Sequence, residues 1–319
     1  MKKLVVTGPF NPAMRNAIEK RLPPEFQVTY IESKADYAAL EDADYTILRT
    51  LDYNADDIAR MRSMRLIQRW GVGFDTVDIA AAGKRGIPVA ISYGINSTPV
   101  AEMALALTLA CLRHVVNQTN NIMNGVWDRS CDKISYTISG KTCGVVGMGN
   151  IGRKVAALYR AFGAKVLYYD VYRMSAEAEA SADVTFCELD ALWEQCDIIS
   201  LHAPSTDETR EMINARSLAK MKTGAVLINT ARAELVDEAA LAEALRSGKL
   251  LAAGLDAINE DIVRSNPFSG LDNVVFTAHL GGNTADNVDL TAERAVSQIL
   301  TVDRGGKLSA PACVNLQFL

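Results

Sequence analysis

Along almost the whole chain, short apolar runs alternate with stretches in which apolar residues return every three or four positions. The runs at 4–6, 28–31, 46–48, 66–67 and 88–91 predict strands, and the intervening periodic segments, such as 54–61 and 76–84, predict helices. A second series starts near residue 142. It predicts strands at 143–146, 166–169, 198–201, 226–228, 253–255 and 274–276, with helices such as 151–162 and 238–246 between them. Strands and helices that alternate for this long form parallel sheets with helices on both faces. The fold class expected is α/β, with two Rossmann-like or flavodoxin-like parallel-sheet domains. A helix over 100–112 joins the two series, capped by Thr98 with Pro99 in its first turn. It has no polar face, which predicts burial between layers. A last helix over 284–302, ended by Gly305-Gly306, returns the chain to the first domain. One domain is therefore inserted into the other. A discontinuous outer domain is expected at 1–98 plus 286–319, and the inserted domain, which carries the candidate cofactor motif described below, at 99–285.

Composition narrows the function. The chain has 319 residues and a net charge of −5, so it lacks the basic surface of a nucleic-acid binder. No segment reads as a membrane span or a secretory signal, and the expected location is cytoplasmic. The six cysteines (Cys111, Cys131, Cys143, Cys187, Cys196, Cys313) form no C-x-x-C pair and no zinc spacing with histidine, so reduced thiols near the core and no metal site are expected. With only three histidines, proton transfer has few candidates.

The first chemical signal is Gly147-Met148-Gly149-Asn150-Ile151-Gly152, which follows a predicted strand and opens a helix. This G-x-G-x-x-G pattern suits a dinucleotide. Gly147 makes the tight turn, Gly149 lets the backbone approach the pyrophosphate, and Gly152 lets helix and strand pack closely. The main chain at Asn150 and Ile151 supplies helix N-terminal N–H groups to the phosphates. Asp170 ends the next strand, eighteen residues after Gly152. Its carboxylate accepts from ribose hydroxyls and repels a 2′-phosphate, which favours NAD over NADP. Two further segments, Asn229-Thr230-Ala231-Arg232 and Thr277-Ala278-His279-Leu280-Gly281-Gly282, also follow strands and so lie at the carboxyl edge, where such sheets bind ligands. Read alone, Arg232 is an ordinary surface arginine, and His279 is one of three histidines. The shared edge is what makes them candidates.

Taken together, these segments resemble the D-isomer-specific 2-hydroxyacid dehydrogenase family. The resemblance extends to Gly71-Val72-Gly73-Phe74-Asp75-Thr76-Val77-Asp78, Val100-Ala101-Glu102, Gly125-Val126-Trp127 and Gly254-Leu255-Asp256. It implies NAD-dependent interconversion of a small 2-oxo acid and its D-2-hydroxy acid. Arg232 is then the arginine that forks onto the carboxylate and 2-oxo group. The N–H groups of Val72 and Gly73 hold the same carboxylate. His279 is the acid/base. Ala203, Thr230, Ala231 and Asp256 line the nicotinamide side, next to Gly281 and Gly282. A homodimer built on the cofactor domain is implied as well. Two positions depart from the pattern. Ala278 replaces the proline that normally precedes the histidine. The carboxylate partner of the histidine falls on Asp261 when counted from Asp256, and on Glu260 when counted back from Asn266-Pro267-Phe268; residue type favours Glu260. His202 reads as a structural residue on the cofactor side, and His114 as a solvated helix-end residue. Arg49, Arg60 and Arg62 read equally as phosphate contacts or surface charges. The alternatives are a nucleotide-sensing interaction protein and a formate-type dehydrogenase, which lacks the acid/base carboxylate.

Overall fold

The computed structural model describes residues 1–127, 129–130 and 134–319. Cys131 lies outside the described residues. The chain divides into two compact units, Met1–Asn96 with Asn283–Leu319, and Ser97–Gly282.

In the first unit, β1 (Lys2–Thr7), α1 (Pro12–Glu19), β2 (Phe26–Ile31), β3 (Tyr45–Leu48), α2 (Ala55–Arg60), β4 (Leu66–Arg69), α3 (Ile79–Lys84) and β5 (Val89–Ala90) build a parallel sheet in the order β2-β1-β3-β4-β5. This is the flavodoxin-like order. Every residue of β3 and β4 is buried, so these strands do not alternate apolar and polar positions, and the polar Thr46, Gln68 and Arg69 are enclosed with the rest. The C-terminal helix Ala285–Asp303 lays Ala292, Ala295 and Ile299 with α1 on one face, against Leu4 and Val6. Ile58, Met61 and Ala82 cover the other face. The helix predicted at 76–84 starts only at Ile79. Val77 is held extended in a bridge to Tyr53, and the Asp78 carboxylate caps the helix by accepting from the Ala81 N–H at 2.8 Å.

The second unit contains α4 (Ser97–Leu112), α5 (Val115–Met123), β6 (Thr142–Val146), α6 (Asn150–Ala161), β7 (Lys165–Tyr169), α7 (Ala176–Ala182), β8 (Thr185–Phe186), α8 (Leu189–Gln195), β9 (Ile198–Leu201), α9 (Ala215–Lys220), β10 (Ala225–Asn229), α10 (Glu238–Arg246), β11 (Leu250–Leu255) and β12 (Val274–Phe276). Its parallel sheet runs β12-β11-β10-β9-β6-β7-β8, a doubly wound Rossmann order with one added strand. The direction of winding reverses between β6 and β9, and this opens a crevice at their carboxyl ends. The two-residue edge strand β8 has too little pattern to be read from sequence.

Three expectations change. Helix α4 begins at Ser97, so Thr98 is inside it rather than capping it. Pro99 is tolerated at the third position because the first four N–H groups of a helix have no partner to lose. The apolar circumference of α4 is not wholly covered within the chain. Ala101, Ala104, Leu107 and Cys111 pack into the core, while Met103, Leu105 and Leu109 are only partly buried and Ala106 is exposed. His114 is not solvated. It sits at the α4–α5 junction with φ +51°, only 8% exposed, and its Nε2 lies 3.1 Å from the Ile134 carbonyl. The contact comes from the segment beyond α5, twenty residues along the chain.

The described cysteines are all free. Cys111, Cys143, Cys196 and Cys313 are buried, and burial pushes the Cys111 and Cys196 thiols up to about 12. Among the described residues, no single helix is long and apolar enough to cross a membrane; α4 and α5 reach that length only as a pair bent by 63°.

Candidate active site

The sheet order of the second unit lines up the candidate residues. Reading across β12, β11, β10, β9 and β6, the segments leaving the carboxyl ends begin at Thr277, Asp256, Thr230, His202 and Gly147. Hydrogen bonds then tie neighbouring segments to one another.

At β6, Gly147 has φ +92°, and a Cβ there would lie 2.7 Å from the His202 carbonyl and the Ala203 amide nitrogen. Only glycine lets the β6 and β9 turns meet this closely. Gly152 packs so tightly on the Gly147 carbonyl that no side chain fits. Gly149 faces open space and caps α6 with no side-chain hydrogen bond. Among the described residues no side chain accepts from the N–H groups at the start of this twelve-residue helix, and these are the donors an anionic pyrophosphate requires. Asp170, just beyond β7, accepts from the Met148 N–H at 2.6 Å and the Tyr172 N–H at 2.9 Å. Two carboxylate oxygens carry about four acceptor positions, so it retains capacity for sugar hydroxyls. The residues present thus fit a bound dinucleotide.

At β10, the wholly buried Asn229 ties two segments together, the one leaving β10 and the one leaving β11. Its amide donates to the Arg232 carbonyl at 2.8 Å and to the Ala257 carbonyl at 3.3 Å, and its side-chain oxygen accepts from the Ala231 N–H at 3.0 Å. This fixes Thr230, Ala231 and Arg232, all at least partly buried, on the strand end. Arg232 precedes the short helical turn Ala233–Leu235, and its guanidinium donates to the Ala231 carbonyl at 2.8 Å.

Asp256 ties the segments after β11 and β12 together. Its carboxylate, 2% exposed, accepts from Thr277 Oγ1 at 2.6 Å, the Leu280 N–H at 2.8 Å and the Gly281 N–H at 2.9 Å, and its carbonyl accepts from the His279 N–H at 2.9 Å. Asp256 thus holds the segment that carries His279. His279 is exposed and adopts φ +53°, a left-handed conformation that histidine tolerates better than most residues. Gly281 sits against Asp256, where a Cβ would come within 2.8 Å of the carboxylate; Gly282 follows, half-buried.

Glu260 and Asp261 are both exposed, at the start of the helical turn Glu260–Val263, which is capped by Asn259. Asp261 pairs with Arg264 at 3.5 Å. The structure does not bring either carboxylate to a hydrogen bond with His279. Nearby, Glu238 accepts from the Asn259 N–H at 2.9 Å and anchors this turn, a contact that sequence reasoning had no signal to find.

In the first unit, Val72 and Gly73 lie in a turn after β4. Buried Arg69 donates to the Gly73 carbonyl at 2.8 Å and to the Leu48 carbonyl at 3.2 Å, so it shapes this turn. Arg62 is held by Asp42 at 3.0 Å and Glu41 at 3.3 Å on the surface, and Arg49 donates to the Pro9 carbonyl at 2.6 Å.

Residues 105–281 match the family model described as the NAD binding domain of D-isomer specific 2-hydroxyacid dehydrogenase. The hydroxypyruvate reductase of Thermotoga maritima is 39% identical over 269 residues, 82% of this chain and 86% of that protein. The D-3-phosphoglycerate dehydrogenase of Methanocaldococcus jannaschii is 34% identical over 96% of this chain, which spans only 58% of that protein. Among solved structures, the D-lactate dehydrogenase of Aquifex aeolicus in complex with NAD and lactic acid has a TM-score of 0.83 at 26% identity, covering 99% of this chain and 97% of that one. The chain therefore belongs to the D-isomer specific 2-hydroxyacid dehydrogenases, and its second unit is their NAD-binding domain.

Proposed function

We propose that the chain reduces a small 2-oxo acid to its D-2-hydroxy acid with NADH. The observation that supports this most is the placement of the Arg232 and His279 segments at the same sheet edge as the dinucleotide turn. When bound, NADH supplies the hydride for the substrate's C2. Arg232 takes the carboxylate and the 2-oxo oxygen with its planar fork, so it both orients the substrate and polarises the carbonyl. In this reading the amides of Val72 and Gly73 serve the same carboxylate. His279 as imidazolium gives its proton to the oxygen as it becomes a hydroxyl. Glu260 is the proposed partner that orients and stabilises the imidazolium. Without such a carboxylate the chain would resemble a formate-type enzyme, which moves no proton at this oxygen.

The direct test is turnover of glyoxylate, hydroxypyruvate, pyruvate and 3-phosphohydroxypyruvate with NADH. Hydroxypyruvate comes first because the Thermotoga relative is matched over most of its length. If no 2-oxo acid is turned over although NADH binds, the enzyme reading fails and a nucleotide-sensing role takes its place.

Cofactor choice follows from Asp170. A 2′-phosphate would face its carboxylate, so NADH is expected to be strongly preferred. Asp170→Ala is expected to weaken NADH binding at least about tenfold and narrow the gap to NADPH, given about 1.5–3 kcal/mol for hydrogen bonds to a charged group. Wild-type activity that is equal with both cofactors would refute this role.

We also propose a homodimer and a cytoplasmic location. Met123 and Trp127 are 81% and 74% exposed, and Val115, Ile122 and Val126 are exposed beside them, next to the partly covered side of α4. These exposed large apolar side chains within 115–127 suit a protein partner, here a second copy. Light scattering at micromolar concentration is expected to give twice the 34.6 kDa chain mass. A monomer under those conditions would refute it.

A further inference from the structure

The loop after Asp170 carries an arginine locked onto a glutamate. Glu179, on α7, accepts from Arg173 Nε at 2.8 Å and from Arg173 Nη2 at 3.2 Å, one donor to each carboxylate oxygen. The guanidinium also lies over the Phe186 ring, 4.9 Å from its centroid. On the inner side, the wholly buried Tyr168 donates its hydroxyl proton to Glu179 at 2.8 Å. The same hydroxyl accepts from the Met174 N–H at 2.9 Å. The segment 170–174 is thus tied at both ends, by Asp170 to the Met148 and Tyr172 N–H groups and by Met174 to Tyr168.

Arg173 is three residues from Asp170, within about 11 Å of backbone. Met148, Arg153, Met174 and Ala178 line one cavity, so this loop and α7 sit beside the dinucleotide turn. An arginine near the ribose-binding carboxylate is the group by which such folds accommodate a 2′-phosphate. Here its fork is already filled. An isolated surface pair would yield readily to a competing dianion. This pair is different: the Glu179 side chain is only 13% exposed, the contact is two-pronged, and an aromatic ring backs the guanidinium. The Arg173 fork also holds the Glu179 carboxyl below the usual carboxylate range, so it stays charged at neutral pH. Arg153, the other guanidinium beside the turn, donates through Nε to the Met148 carbonyl at 3.1 Å.

We propose that Glu179 is a specificity-determining residue: by filling the fork of Arg173 it withholds from a 2′-phosphate a cation that would offset the repulsion by Asp170. This rests on the NAD reading of the Asp170 edge. Selectivity for NADH then has two parts, a carboxylate that repels the phosphate and a second carboxylate that keeps an arginine from attracting it.

The test is fluorescence titration of NADPH and NADH into the full chain. Glu179→Gln keeps one oxygen for the Tyr168 hydroxyl, and so keeps the Met174 anchor, but loses the charge and one of the two acceptors. It is expected to tighten NADPH about five- to tenfold and to leave NADH within about twofold. Removing a negative charge could by itself favour NADPH, so Arg173→Ala decides the cause. In Glu179→Gln/Arg173→Ala the gain is expected to vanish. Arg173→Ala alone is expected to leave the Kd for NADPH within about threefold of wild type, because a withheld guanidinium contributes little; this arm leaves Glu179 untouched. A larger loss in Arg173→Ala would show that the arginine was never withheld. No gain in Glu179→Gln, a gain that survives in the double variant, or an equal gain for both nucleotides also overturns the proposal. A wild type that binds neither nucleotide would instead overturn the cofactor reading, and the proposal with it.

Discussion

Arg232→Lys is expected to lower kcat/KM for the 2-oxo acid by about 10²- to 10³-fold while the Kd for NADH stays within about twofold. Losing one partner of a desolvated charge pair costs about 2–5 kcal/mol, and lysine restores the charge without the fork. The segment should survive the change. Asn229 holds the main chain on both sides of the position through the Ala231 N–H and the Arg232 carbonyl, and neither contact involves the guanidinium. Steady-state kinetics with a fluorescence titration of NADH separate the two effects. A lysine variant within about threefold of wild type would show that charge alone suffices and would remove the bidentate role.

His279→Asn is expected to lower kcat/KM by about 10²- to 10⁴-fold, the usual contribution of a positioned acid/base. Asparagine is the informative replacement. At φ +53° it adopts the left-handed conformation readily, so the segment keeps its course while the proton donor is lost. The same assay ranks the two carboxylates. Glu260→Gln should cost at least about tenfold more than Asp261→Asn, because Asp261 is engaged by Arg264 and Glu260 has no comparable ion pair among the described residues. The reverse order would mean that spacing from Asp256 outweighs residue type. Equal and negligible effects would favour the formate-type alternative.

Strands buried on both faces, such as β3, β9 and β10, announced themselves as largely apolar runs, and the turns after β6, β10 and β12 announced the edge. What stayed hidden depends on long-range contacts. His114 looks like a terminal residue until the segment beyond α5 brings the Ile134 carbonyl to its ring. That the Asp256 carboxylate holds Thr277, Leu280 and Gly281 is invisible in the sequence, because these residues lie more than twenty positions away. Asn229 has the same character: only the folded sheet brings Ala257 to its amide. No local pattern records such pairings. The exposed placement of Glu260 and Asp261 likewise follows from the course of one turn, not from the two residue types.

The Asp256 contacts bear on how the His279 segment responds to heat. Where relatives place a proline before the histidine, restraint comes from a ring with fixed φ and is indifferent to temperature. Here Ala278 leaves the backbone free to rotate, and three hydrogen bonds to one carboxylate do the holding. Such a restraint is enthalpic and is lost as a set, because removing one donor leaves the others on a mobile strand end. Amide exchange at Leu280 and Gly281 should therefore speed up together on warming, well below the temperature at which the β9–β10 core exchanges, and activity should fade along the same curve.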